Sequence, residues 1–481
     1  MLKPAAALFA ILASAACAAT TASAPTYNRD IAPILYQNCA NCHRPGEVAP
    51  FSLLTYQDTA KRAGLIAAIA KARVMPPWKA EPGYGAFKNV RRLSDQQISL
   101  LQQWAKNGAP EGDPAGKPAP PHFTDGWQLG QPDKVFQTPG KFSLAADGPD
   151  QYRCFVIPMD FDKDMYMGAV EFRPGNRRVV HHALVFADPN RKGRQLAAGS
   201  PDGSYSCFGS PGFAGALIGG WAPGATPYRA DPGTAVTLRK GTDLVLQIHY
   251  HPSGKPEEDQ SSLGLTYGEP PTKGRALLLV ASRKIEIPPG DAHYVVKTSV
   301  EVPQDVEAMG IAPHAHYLCK DMKVNAHLPD GSVTPLIWIK DWDFNWQGSY
   351  RYQNPVKLPK GTRVELEYTY DNSEANPHNP AHPPKRVTYG EQTTDEMALA
   401  FISIALPTPA GAEAFQKAMR IQAIDAFLKN SGDFSKPTPD FSADAAARLE
   451  RAVKFFDKNQ NGKLEPEERE ALIKFLEERM R

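Results

Sequence analysis

The sequence predicts a multidomain fold: a helical block, two mainly antiparallel β-sandwich domains and a helical tail. Its 481 residues correspond to about three domains. Proline (45) and glycine (37) are frequent, which favours short strands joined by turns over long helices. Apolar residues (42%) and charged residues (22%) occur in ordinary globular proportions, which excludes a disordered chain.

Changes in composition divide the chain into segments. A helix is predicted over Asp95–Trp104, opened by Ser94, and alternating apolar residues predict strands at Asp243–Tyr250 and Arg363–Tyr370. The predicted boundaries are 1–24 for a signal peptide, 25–113 for the helical block, 114–128 for a Pro/Gly-rich linker, 129–280 and 281–407 for the two β-sandwiches, and 408–481 for the helical tail.

The charge balance and the first residues restrict partner and location. Lys+Arg (54) and Asp+Glu (52) nearly cancel, so no nucleic acid partner is expected. Residues 1–24 have the pattern of a secretory signal, with Lys3 before an apolar run and small residues that allow cleavage after Ala18 or Ala24. Lipid attachment at Cys17 is the less favoured alternative, because no Leu stands three residues before it. We therefore expect an exported protein, periplasmic or extracellular, without a transmembrane segment.

The helical block carries a haem attachment sequence. In Cys39-Ala-Asn-Cys42-His43, the two thiols would bind the haem vinyl groups and the histidine its iron. A zinc site is the alternative, but residues 25–113 contain no other Cys or His. Met75 is the only Met of this block and is the expected sixth iron ligand. The block resembles a class I monohaem cytochrome c domain, which implies electron transfer.

Six of the 12 histidines form three tight groups in the β-rich region: His181-His182, His249-x-His251 and His314-x-His316. Residues i and i+2 of a strand face the same side, so the last pair could hold one metal ion from a single strand. Surface histidines also pair by chance, so each group alone is only moderately specific. Apart from His43 in the haem attachment sequence, the five remaining histidines are expected to face solvent: His122, His293, His327, His378 and His382.

The order of these groups resembles the copper type II, ascorbate-dependent monooxygenases, which include the peptidylglycine α-hydroxylating and dopamine β-monooxygenases. The resemblance covers roughly residues 129–407 and rests on four motifs in order: Val179–Phe186, Leu244–Tyr250, Pro313–Leu318 and Thr394–Met397. It implies two coppers, an electron-storing one on His181, His182 and His249, and one that meets dioxygen on His314, His316 and Met397.

Some ligand assignments stay open. Met309 and Met322 are rival soft ligands nearer in sequence to His314. His251 is extra to the family pattern, either a supporting group or an exposed side chain. Gln247 could orient a ligand or be an ordinary strand-face amide.

The resemblance implies insertion of one oxygen atom from dioxygen into a C–H bond of a small organic substrate. Ascorbate is the usual reductant of the family, so we interpret the fused haem as its replacement, itself reduced by an upstream electron donor. The competing hypothesis is a non-enzymatic copper-binding or electron-relay protein that uses the same ligands.

The residues beside the second copper predict the substrate class. Where peptide-amidating relatives carry an Arg two residues before the His-x-His pair, this chain has Ala312. Where they carry Asn and Tyr two and four residues after the ligand Met, it has Leu399 and Phe401. Either these two side chains belong to the core, or they form an apolar wall for an uncharged substrate.

Three cysteines remain after Cys17 and the haem pair. Cys154 and Cys207 both fall in the first sandwich, so a disulfide between them is the preferred pairing. Cys319 is then left over and is expected to be a small buried residue.

The tail contains a twelve-residue pattern typical of an EF-hand calcium loop. Its ligands would be Asp457, Asn459, Asn461, the carbonyl of Lys463, and Glu468. EF-hands usually act in pairs and no second loop is found, so one calcium ion in a structural role is expected rather than a sensor.

Overall fold

In the computed structural model, the described residues are 23–479 except 48, 124–125, 208–209, 214, 223–224, 391 and 431–442. Residues 1–22 of the predicted signal, with Cys17, lie outside them. The chain divides into unit 1, residues 1–76 and 93–121, and unit 2, residues 77–92 and 122–481. The predicted block 25–113 is therefore interrupted, because residues 77–92 group with the β-rich unit.

Unit 1 is helical, as predicted. Its elements are a π-helical turn Tyr27–Ile31, α1 Ala32–Asn38, α2 Tyr56–Ala60, α3 Ala63–Lys71, α4 Asp95–Lys106 and a 3₁₀ turn Pro114–Gly116. Ser94 opens α4 in a capping box, since its hydroxyl accepts the Gln97 N–H and the Gln97 side chain accepts the Ser94 N–H. The buried face of α4 packs Leu101 and Trp104 into the core of the unit.

The first part of unit 2 contains two larger antiparallel sheets with a shared core. Its elements are β1 Lys134–Gln137, β2 Phe142–Leu144, β3 Gln151–Ile157, β4 Met165–Arg173, β5 Val180–Asp188, α5 Lys192–Leu196, β6 Ser204–Ser206, β7 Ala216–Trp221, β8 Val236–Leu238, β9 Asp243–Tyr250, β10 Glu257–Asp259 and β11 Ser262–Tyr267. The sheet orders are β1-β11-β4-β8 and β6-β3-β9-β5-β7, with a small β10-β2 pair. Strand β9 has the predicted bounds and is buried along its whole length.

The second part of unit 2 repeats this arrangement. Its strands are β12 Gly274–Ser282, β13 Glu286–Ile287, β14 Tyr294–Glu301, β15 Val306–His314, β16 Cys319–His327, β17 Val333–Ile339, β18 Tyr350–Leu358, β19 Arg363–Tyr370, β20 Val387–Thr388 and β21 Ala398–Leu406. The main sheets are β12-β21-β15-β18 and β14-β19-β16-β17, joined by one core, with a β13-β20 pair beside them. Strand β19 has the predicted bounds. The predicted boundary at 280/281 falls inside β12, because β12 pairs with β21.

These antiparallel sheets around two cores are compatible with two β-sandwich domains. Three helices follow: α6 Pro409–Asn430, α7 Ala443–Phe456 and α8 Pro466–Arg479. Over the described part of the chain, no helix combines the length and the apolar character needed to cross a membrane.

Candidate metal centres

Three histidine rings meet where β5 pairs with β9. His182 lies opposite His249 in this pairing, and the register shifts between Val180 and His182. Side chains of a regular strand alternate between faces, but a β-bulge sets two neighbouring residues against one partner. The bulge therefore allows the consecutive residues His181 and His182 both to face His249.

The ring nitrogens of this histidine trio form one donor set. Nδ1 of His182 lies 3.3 Å from Nδ1 of His181 and 3.3 Å from Nδ1 of His249. Two imidazole nitrogens bound at about 2.0–2.1 Å to one tetrahedral ion would be about 3.3 Å apart, so this spacing fits a shared metal ion. Burial lowers the pKa of His181 to about 4 and that of His182 well below its ordinary value. His181 and His182 therefore favour neutral imidazole, the form that binds metal ions.

Asp150 is a site residue that sequence reasoning missed. Its carboxylate lies 2.6 Å from Nε2 of His249 and 2.7 Å from Nδ1 of His251. A carboxylate that accepts the outer N–H of a ligating histidine fixes its tautomer, here with Nδ1 free to bind. Burial alone would raise the pKa of Asp150, but the hydrogen bonds to the two histidines lower it to about 2. The Tyr152 ring stacks on one face of the His249 ring, with 4.2 Å between their centroids.

Two open assignments are resolved near the trio. The His251 side chain is 67% exposed, and its contact with Asp150 makes it a supporting group outside the trio. The Gln247 amide nitrogen lies 3.5 Å from Sγ of Cys207 and 3.4 Å from the Ser210 carbonyl, so it packs on sulfur instead of orienting a ligand. The predicted disulfide between Cys154 and Cys207 is confirmed, with its Cα atoms 5.9 Å apart.

His314 and His316 form the second candidate site. Nδ1 of His314 lies 2.6 Å from Oε1 of Gln347, and Nδ1 of His316 lies 3.1 Å from the Asp395 carbonyl. Both acceptors require a protonated Nδ1, which leaves both Nε2 atoms with lone pairs for a metal ion. Burial lowers the pKa of His314 to about 4 and also lowers that of His316, which again favours neutral rings.

The prediction that both histidines project from one strand is wrong for His316. Strand β15 ends at His314, and the backbone of His316 bonds to the side chain of Glu396 instead of a neighbouring strand. The fully buried Glu396 carboxylate accepts N–H groups of His316 at 2.8 Å, Leu318 at 2.6 Å and Met397 at 3.1 Å. Burial raises the pKa of Glu396 to about 8, although these N–H groups favour the charged form. Glu396 therefore fixes the backbone on both sides of the site.

The position of Met397 is given by the start of β21. His314, the last residue of β15, pairs with Leu399, and the half-buried Met397 directly precedes the first residue of β21. Of the rival ligands, Met322 is fully buried in the core and Met309 lies at a bulge of β15.

Leu399 and Phe401 belong to the face of β21 that carries the histidines. The alternate residues of β21 are buried in the core, whereas Leu399 and Phe401 are only half-buried. The pairing of β12 with β21 sets Leu279 opposite Phe401, and Leu277 and Leu279 are 42% and 39% exposed. This side of the sheet is an apolar surface beside His314. The burial pattern therefore does not place Leu399 and Phe401 in the core.

The haem-attachment residues lie in unit 1 at the end of α1. Cys39 and Cys42 are both half-buried, and burial raises the pKa of Cys39 to about 12. Nδ1 of His43 lies 3.1 Å from the Phe51 carbonyl, which leaves its Nε2 for an iron ion. Met75 is half-buried, four residues beyond α3 in the same unit. The thiols and the oriented imidazole fit a covalent haem.

The candidate calcium loop lies between α7 and α8. Oδ2 of Asp457 accepts the Gly462 N–H at 2.8 Å, Oδ1 of Asn459 that of Asn461, and Oε1 of Glu468 that of Lys458. Gly462 has φ +80°, a value that glycine adopts readily. The oxygen-bearing side chains thus turn into the loop.

The remaining predictions concern single residues. His122, His293, His378 and His382 are exposed, as expected. His327 is half-buried on β16 and lies 3.5 Å from Glu365, so its predicted exposure is wrong. Cys319 is buried in the second core, as expected.

No family model and no curated protein matches the chain. Solved structures align weakly. PNGF-II is 9% identical with a TM-score of 0.23, over 56% of this chain and 65% of that one, so the chain spans less than two thirds of it. The major capsid protein P2 from Bacteriophage PM2 is 10% identical with a TM-score of 0.22, over 57% of this chain and 97% of that one. The PBSX exported protein XepA is 9% identical with a TM-score of 0.15, over 49% and 86%. Such low scores support no statement about fold or function.

Replacing Asp150 by Asn should weaken copper binding at the histidine trio by about 10–100-fold, because the amide no longer fixes the His249 tautomer. Competition with a Cu(I) chelator measures this affinity. The exposed Asp147→Asn change is the matched control and should leave it unaltered. Equal affinities of the two variants would contradict the assigned role of Asp150.

Replacing Glu396 by Leu should lower the free energy of unfolding by about 1–3 kcal/mol or more, since it leaves buried N–H groups without an acceptor. Denaturant unfolding of the metal-free protein measures the change, and Glu374→Leu at an exposed position serves as control. If the two variants are equally stable, Glu396 does not hold the site together.

Proposed function

We propose that the protein is an exported copper- and dioxygen-dependent monooxygenase that hydroxylates a C–H bond of an uncharged or apolar substrate. Electrons would reach it through a fused c-type haem. The observation that carries the proposal is the presence of two chemically different histidine sites in unit 2. One offers three Nδ1 atoms, and the other offers two Nε2 atoms, to which Met397 would add a thioether.

The donor atoms suit copper in two different roles. Imidazole suits several divalent and monovalent transition ions, whereas a thioether favours Cu(I). A site of three nitrogens would store an electron, and a site with His314, His316 and Met397 would be poised for the reduced ion. When bound, the two coppers and the haem would supply one-electron chemistry and the reduction of dioxygen.

The chain's own residues hold and shield this chemistry. Asp150 fixes the His249 tautomer, and Gln347 does the same for His314. The Phe344 ring lies 5.8 Å from that of His316 and covers one side of it. Leu399 and Phe401 would exclude water next to the reacting C–H bond.

The same wall supports the substrate class. Ala312 pairs with Phe401 across β15 and β21, so an apolar pair occupies the position where peptide-amidating relatives place an Arg. A carboxylate buried there would lack a cationic partner and would be costly to desolvate. An uncharged aromatic or aliphatic compound fits this surface better than a glycine-extended peptide.

The export and calcium assignments accompany this proposal. The disulfide is compatible with an oxidising compartment, in line with the N-terminal signal pattern. For the tail we propose one structural calcium ion held by Asp457, Asn459, Asn461, Lys463 and Glu468, since their loop already directs oxygen atoms inward.

The proposal predicts two coppers and one covalent haem per chain, and oxygen uptake that neutral aromatic or aliphatic compounds stimulate. His314→Ala should remove one copper and all stimulated uptake while the haem remains. Leu399→Asn and Phe401→Tyr should reduce turnover of apolar compounds, because polar groups then line the wall. Metal analysis and an oxygen electrode measure these quantities, with reduced haem as the electron source.

Two results would contradict it. A single metal per chain, or zinc preferred over copper, would contradict the paired copper sites. Full copper loading with uptake that no compound stimulates would favour the electron-relay alternative.

A further inference from the structure

Residues 77–92, called here the strap, belong to unit 2, although in the sequence they lie between the two stretches of unit 1. The strap pairs with one strand of each main sheet in the second part of unit 2. Ala80 pairs with Ile339 at the end of β17, and Phe87 pairs with Tyr352 on β18. Strands β17 and β18 are the edge strands of their sheets. The strap therefore joins the two sheets along these edges.

Aromatic rings of the strap hold the ring of Tyr350, the first residue of β18. The Trp78 ring meets it edge-on at 5.1 Å between centroids, and the Phe87 ring lies 5.3 Å from it. Phe87 is 8% exposed and Tyr350 is 4% exposed, so their contact is part of the second core. Truncating a strap ring would let Tyr350 move, because the neighbours of a new cavity relax into it in part.

The Tyr350 ring also contacts the loop between β17 and β18, residues 340–349. A Cβ atom at Gly348 would lie 2.9 Å from Cζ and from the hydroxyl of Tyr350, so only a glycine backbone fits against the ring. The preceding residue is Gln347, whose amide oxygen lies 2.6 Å from Nδ1 of His314. One chain of contacts therefore runs from the strap through this ring to a histidine of the second site.

At its other end, the same loop contacts the strap through an ion pair. Lys79 lies 3.1 Å from Asp341, whose side chain is 80% exposed. The neighbouring Trp342 donates its indole N–H to the His316 carbonyl at 3.0 Å. Exposed ion pairs contribute little, so we expect the aromatic contacts at Tyr350 to matter more than this pair.

We propose that the strap is a positioning element of the His314/His316 metal site and acts through the Tyr350 ring and Gln347. The inference rests on the proposed function, which assigns copper to these histidines. Gln347 fixes the tautomer and direction of the His314 ring, and the strap fixes the loop that carries Gln347. Loss of such a support typically lowers metal affinity by about 10–100-fold. The histidine trio is supported by Asp150 instead, so its affinity should not depend on the strap.

Copper affinity of the full-length protein tests the inference at each site separately. His182→Ala confines the metal to the second site, and His314→Ala confines it to the trio. Competition with a Cu(I) chelator then gives each affinity. Trp78→Ala should lower the affinity of the second site about tenfold or more and leave that of the trio unchanged. Val90→Ala, at a 53% exposed position of the strap, should change neither affinity.

A double-mutant cycle separates positioning through Gln347 from a general loss of stability. Gln347→Leu removes the hydrogen-bond partner of His314 Nδ1. In that background Trp78→Ala should cost little further affinity, because both changes disrupt the same chain of contacts. If Trp78→Ala does not fold, Gly348→Ala provides the test from the loop, since its Cβ would push the loop away from the Tyr350 ring.

Several results would overturn the inference alone. They are an unchanged second-site affinity in the Trp78→Ala protein, an equal loss at the trio, and fully additive effects of the Trp78 and Gln347 changes. Failure of the unmodified protein to bind copper at the second site contradicts the proposed function, and the inference with it.

Discussion

The candidate sites depend on one constraint: a hydrogen bond at one ring nitrogen of a buried histidine fixes which nitrogen keeps its lone pair for a metal ion. The acceptor of this hydrogen bond is Asp150 for His249, Gln347 for His314 and a backbone carbonyl for His316. His43 in unit 1 has the Phe51 carbonyl. These contacts orient each ring before any ion binds, and burial keeps the rings neutral where their pKa is lowered. Because the acceptors sit on Nε2 for His249 and on Nδ1 for His314 and His316, the two sites of unit 2 present different nitrogens.

Much of the fold could be predicted from local sequence, whereas the supports of the sites could not. Strands β9 and β19 and the start of α4 follow from side-chain periodicity and a capping residue, which are short-range signals. Asp150 meets His249 across 99 residues, and Glu396 meets His316 across 80. No local sequence pattern encodes such pairs. The bulge at His181 likewise depends on the pairing of β5 with β9, so the sequence around His181 does not predict it. The predicted helical block is interrupted at residues 77–92 for the same reason, since Phe87 contacts partners more than 250 residues away in the sequence.

The two parts of the second site have opposite chemical characters, and both matter for the proposed reaction. On one side a buried carboxylate and an amide fix the histidines through hydrogen bonds. On the other side Leu399 and Phe401 continue into the half-exposed Leu277 and Leu279, where there is little to bind a charged group. An arrangement of this kind would hold a metal ion rigidly. Substrate selectivity would then depend on apolar contacts, which distinguish similar compounds more weakly than hydrogen bonds do. We therefore expect acceptance of several related apolar compounds.

The central claim is that unit 2 holds two coppers in unlike ligand sets, and X-ray absorption of the Cu(I)-loaded protein tests it most directly. Because the spectrum averages over both coppers, we expect it to show nitrogen neighbours from both sites and a sulfur neighbour from one of them. That sulfur signal should vanish in Met397→Leu and persist in Met309→Leu and Met322→Leu. A spectrum without sulfur, or a sulfur signal that survives Met397→Leu, would contradict the account.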